Sequence, residues 1–126
     1  MYKVLIPFTD PDGGERAIRH LLKEEWPDAL QVELLAIIEA TELHTSRRFI
    51  SAASAEEAAR VTAMCWIARL GPILQAAQVP YQTRIAVGRP LVELDLAVHR
   101  ADVDRVLLPD SLPHWPEVSP PATVVA

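Results

Sequence analysis

Four apolar runs, each separated from the next by a stretch with helical spacing, constrain this chain more than any other feature. Tyr2–Phe8 (YKVLIPF) and Gln31–Ile38 (QVELLAII) are almost continuously apolar. A strand that meets water on one face alternates, and one covered on both faces does not. These two runs therefore read as strands buried within a parallel sheet. Tyr81–Val87 alternates instead, with Tyr81, Thr83, Ile85 and Val87 on one side and Gln82, Arg84 and Ala86 on the other. That pattern suits a strand at the edge of the sheet. Asp104–Pro109 (DRVLLP) supplies the fourth strand, and Ala122–Val125 is positioned to add a fifth.

The connecting segments read as helices. The turn TDPDGG leads into a helix expected from about Gly14 to Glu25, with Asp12 and Glu15 at capping-box spacing. Ala17, Ile18, Leu21 and Leu22 form its apolar stripe, and Pro27 stops it, since a residue before proline avoids helical angles. Ala40–Ala53 has no clear period and reads as a loop. Ser54 and Glu57 make a second capping box, from which a long helix runs to about Ala77. Ala63, Ile67, Leu70, Leu74 and Ala77 share one of its faces. Pro72 has no N–H to donate, so a kink is expected there. Gly88-Arg89-Pro90 opens a third helix with proline at its first position, and Leu91, Leu94, Val98 and Ala101 form its buried stripe. Strands alternating with helices give an α/β fold, a doubly wound parallel sheet with helices on both faces. With 126 residues, half of them hydrophobic, a single domain is expected.

Charge and composition exclude several partners. The net charge is −5, and Arg47-Arg48 is too small a basic footprint for nucleic acid or an anionic membrane surface. No apolar run reaches the ~20 residues that span a bilayer. MYKVLIPFTD lacks the basic start and small-residue cleavage site of a signal peptide. Cys65 is the single cysteine, so no internal disulfide forms and a reducing cytoplasm is the expected compartment.

Three segments together resemble the universal stress protein family. YKVLIPF followed by an acidic turn looks like that family's first strand, and VELLAIIEA like its second. YQTRIAVGRPLVELDLAVHRADVDRVLLPD is the most similar, with its strand, glycine, proline-opened helix, Ala101-Asp102 and hydrophobic strand. The similarity covers most of residues 2–110. It implies a parallel sheet in the order 3-2-1-4-5 and a homodimer joined along the last strand. Members that bind ATP carry an aspartate at the end of the first strand and a spaced run of glycines after the fourth. Glycines let backbone N–H groups close around phosphates.

The chain departs from the family at both places. The aspartate position holds Thr9, with Asp10 one step later, and PDSLPHWPEVSPP after Leu108 contains no glycine. The phosphate cradle does not carry over, so ATP is disfavoured as a cofactor. The segment from Asp110 to Pro121 barely reaches the dozen or so residues that a parallel crossover needs, and it is rich in helix breakers. The last crossover helix is therefore expected to be shortened or missing. Apolar sheet left bare there would seek a partner, with Leu112, Trp115 and Val118 as partial cover.

The remaining constellations favour structural roles. Asp10 and Asp12 have the placement of a phospho-receiver Mg²⁺ site, but Gly88 and Arg89 stand where a third aspartate belongs, and no lysine follows Lys23. Turn chemistry and capping are the preferred reading. His20, His44, His99 and His114 never reach a metal-ligand spacing, so no metal site is expected. Cys65 beside Trp66 reads as a packed small hydrophobe. No G-x-S-x-G elbow is present, and no nucleophile, base and oxyanion donor assemble, so no enzyme is expected. The reading that results is a non-catalytic, universal-stress-type protein acting in stress response or regulation through association. Trp115, Thr123, Val124 and Val125 are its expected interface. The alternative is a nucleoside or nucleotide binder using the cleft at the strand ends, where Thr9, Asp10, Ile38, Pro109, Asp110 and Ser111 would gather.

Overall fold

A computed structural model describes residues 2–26, 29–39, 52–100, 102–109 and 122–125. Five strands are present: β1 (Tyr2–Phe8), β2 (Leu30–Glu39), β3 (Tyr81–Gly88), β4 (Arg105–Pro109) and β5 (Ala122–Val125). All pair in parallel, in the order β3-β2-β1-β4-β5. Three helices are described: α1 (Pro11–Lys23), α2 (Ala52–Ala76) and α3 (Pro90–Arg100). The doubly wound α/β fold is the one expected from the sequence, and the strand order is the one that the universal stress resemblance implies. The place of the shortened last crossover lies outside the described residues.

Chain direction decides which helix covers which face. The path steps from β1 to β2 to β3 in one direction, then returns past β1 to β4. Parallel crossovers are right-handed, so the first two helices lie on one face and the third on the other. Strand side chains alternate to match. Val4, Ile6, Phe8, Val32, Leu34 and Ala36 are buried with Ala17, Ile18 and Leu21 of α1 and with Ala63, Leu70 and Leu74 of α2. Leu5, Leu35, Ile37, Val106 and Leu108 are buried with Leu94, Ala97 and Val98 of α3. Fully buried β1 and β2 account for their unbroken apolar runs, and β3, at the edge, for its alternation.

The helix boundaries correct the sequence reading in places. α1 begins at Pro11, three residues before the expected start, because Asp10 and not Asp12 is its cap. Asp10 is extended (φ −151°, ψ 156°), and its carboxylate accepts from the Gly13 N–H. Pro11 then occupies a first-turn position that needs no donor. The helix stops at Lys23; the Trp26 indole N–H donates to the Leu21 carbonyl at 2.9 Å. Leu22, placed in the buried stripe by its spacing, is exposed. α2 begins at Ala52, so Ser54 falls within its first turn, and the helix continues through Pro72 as one element. It ends with Gln78 in the left-handed region (φ 59°), the Gln78 N–H on the Gln75 carbonyl and the Val79 N–H on the Leu74 carbonyl. These are the two bonds of a Schellman cap.

Two further differences bear on function. Cys65 is exposed and not packed. It lies near Val61 and Met64, which are 52% and 61% exposed, so the outward side of α2 carries a small apolar group among charged residues. On the α3 face, Val106 and Leu108 are 0% and 3% exposed within a single chain. The bare apolar sheet expected from the shortened crossover is therefore not found at β4.

Candidate ligand crevice at the strand carboxyl ends

The strand order reverses between β1 and β4, and the crevice outside the carboxyl ends of these strands is where doubly wound folds receive ligands. Thr9 and Asp10 follow β1 directly, and both are half-buried. Asp10 is held by the first turn of α1: its side chain takes the Gly13 N–H, and its carbonyl takes the Gly14 N–H at 3.3 Å. The Thr9 hydroxyl makes no hydrogen bond among the described residues. Ile38 is 3% exposed and packs into the α1–α2 side of the core. Pro109, at the end of β4, is buried. Asp110 and Ser111 lie outside the described residues, as do Trp115 and Arg47-Arg48.

Other acidic groups toward the carboxyl ends of the strands are engaged by the fold. Arg69 of α2 reaches across to α1, with its Nη2 2.7 Å from Asp12 Oδ1 and 3.6 Å from Glu15 Oε1. The hydrogen bond that Arg69 donates to the Asp12 carboxylate raises the Arg69 pKa above its ordinary value. A cation raised in this way contributes its stabilisation below its unfolded pKa and loses it only as pH climbs through the folded one, far above neutrality. This clamp is therefore constant across physiological pH, and being exposed it is sensitive to salt. At the end of β3, a Cβ on Gly88 would collide with the Glu93 carboxylate from the first turn of α3. Glu93 thus lies folded back over the place where the strand ends.

Gly14 explains how these elements come together. A Cβ there would lie 2.7 Å from Leu70 Cδ1 and 3.1 Å from Phe8 Cγ, so only glycine lets α1 meet β1 and α2 so closely. The sequence spacing points to Asp12 as a cap and to no role for Arg69. The two are far apart in the chain, and no periodicity links them. The adjacent glycines Gly13 and Gly14 within a helical pattern were the available signal, since glycine inside a helix usually has a packing reason.

The capping role of Asp10 is directly testable. Asp10→Ala is expected to cost about 1 kcal/mol, while Asp10→Asn, which still caps, loses only a few tenths. Urea unfolding of both variants measures this. Equal losses would remove the cap from the account.

The interface expected at the last strand is described by its backbone. Thr123, Val124 and Val125 pair with Leu107, Leu108 and Pro109 in register, so β5 belongs to its own chain's sheet. Among the described residues, its outer edge has no strand partner. No group of three His, Cys, Asp or Glu side chains converges among the described residues. His20 lies beside Glu24 (Nε2–Oε1 3.1 Å), and His99 Nδ1 lies 2.8 Å from the Asp95 carbonyl. No helix among the described residues is long and apolar enough to cross a membrane. A shallow depression lined by Gln75, Val79, Pro80, Tyr81, Gln82 and Thr83 sits at the amino end of β3, away from the crevice.

No protein-family model matches the chain, and no curated protein does. Solved structures do. That of hypothetical protein PH0823 superposes with a TM-score of 0.75 at 19% identity, covering 98% of this chain and 94% of the other. That of hypothetical protein MJ0577, the subject of a structure-based assignment of biochemical function, gives 0.62 at 19% identity, covering 83% and 71%. Identity at this level speaks for fold alone. The chain shares the fold of PH0823 and MJ0577, with the strand order that its universal-stress resemblance implies.

Proposed function

We propose that this chain is a non-catalytic protein of the universal-stress type, acting in stress response or regulation by association as a homodimer or with a protein partner. On this reading it does not bind ATP in that family's manner. The observation that carries it is the use of the crevice acids by the fold itself. Asp10 is spent on the α1 cap and Asp12 on Arg69, and Glu93 covers the end of β3. A chain without a glycine after Leu108 also lacks the backbone cradle that would receive phosphate. Association has a route through β5, whose outer backbone edge is unpaired among the described residues. Edge strands of this kind template pairing with another chain. The burial of Val106 and Leu108 leaves no bare sheet at β4, so the reading rests on the strand edge.

Light scattering on the purified protein tests this reading. A dimer at micromolar concentration is expected, and Thr123→Pro, which removes a backbone donor from β5, is expected to weaken it. A monodisperse monomer that captures no protein partner would overturn it.

One observation favours a second reading. The Thr9 hydroxyl, beside the point where the strand order reverses, is free among the described residues to meet a ligand. A nucleoside without phosphate contacts fits that position better than a triphosphate.

A further inference from the structure

We draw no further inference here: the strongest candidate, the outward apolar stripe of α2 on which Val61, Met64 and Cys65 are exposed, carries nothing because no feature of the structure shows what covers it.

Discussion

Phe8→Ala is expected to lower stability by about 3–5 kcal/mol, the usual range for deleting a buried aromatic ring. In a domain of this size that corresponds to a fall in Tm of roughly 10–20 °C. Phe8 is fully buried at the carboxyl end of β1, where β1, α1 and α2 meet. Its ring lies 6.1 Å from that of Trp66, tilted at 49°, and it bounds the space that a Gly14 side chain would need. The same junction makes a second, opposite demand. Gly14→Ala inserts a methyl where none fits and is expected to cost about 1–3 kcal/mol by overpacking. In the Phe8→Ala background the methyl has room on one side, so its cost should shrink. Urea unfolding of the two single variants and the double variant measures that coupling. Strict additivity would mean that the ring and the glycine do not share the junction described above. The effect bears on function because Thr9 and Asp10 continue directly from Phe8, and the crevice takes its shape from this contact.

The second large effect lies on the opposite face of the sheet, the one that α3 covers. Glu33 is the single buried polar side chain among the described residues, 2% exposed. Arg84 Nη2 stands 3.4 Å from its Oε1, and among the described residues its Oε2 has no hydrogen-bond partner. Removing a partner from a buried polar group leaves its desolvation uncompensated. Arg84→Ala is therefore expected to cost about 1–3 kcal/mol, a range set low because the Arg84 side chain is 38% exposed and screened by water. Glu33→Leu removes the whole demand and is expected to be neutral or stabilising, as replacements of buried ionic groups often are. In that background Arg84→Ala should cost little. A double-mutant cycle in urea decides the matter. If Arg84→Ala is as costly beside Leu as beside Glu33, the arginine acts by packing alone.

Much of the fold was legible because it rests on short-range patterns. β1 and β2 announced themselves as unbroken apolar runs, since strands covered on both faces have no polar side to show. β3 announced its edge position by alternation, and Pro90 marked the start of α3. The errors are equally physical. Asp10 and Asp12 are both good caps at good spacing, and Pro11, which needs a cap immediately before it, decides for Asp10. Cys65 beside a tryptophan suggested packing, but the inward arc of α2 is already filled by Ala63, Leu70 and Leu74. The Arg69–Asp12 clamp and the Glu33–Arg84 pair arise between elements that only the completed sheet brings together. The point where the strand order reverses was legible as a place, and the chemistry of the side chains around it less so. Thr9 and Asp10 are where the order of strands puts them, while Ile38 turned out to face the core.

We propose that the polar groups at the strand ends serve the fold and do not hold a triphosphate. Calorimetric titration of the purified protein with ATP and Mg²⁺, followed by AMP and adenosine, tests it most directly. Silence with ATP and AMP is the expected result. Silence with adenosine as well would leave the protein surface as the seat of function, and a saturable heat with adenosine alone would move it to Thr9. Saturable binding of ATP at micromolar strength would contradict the account, because it would require a phosphate site in a chain that has no glycine after Leu108 to build one.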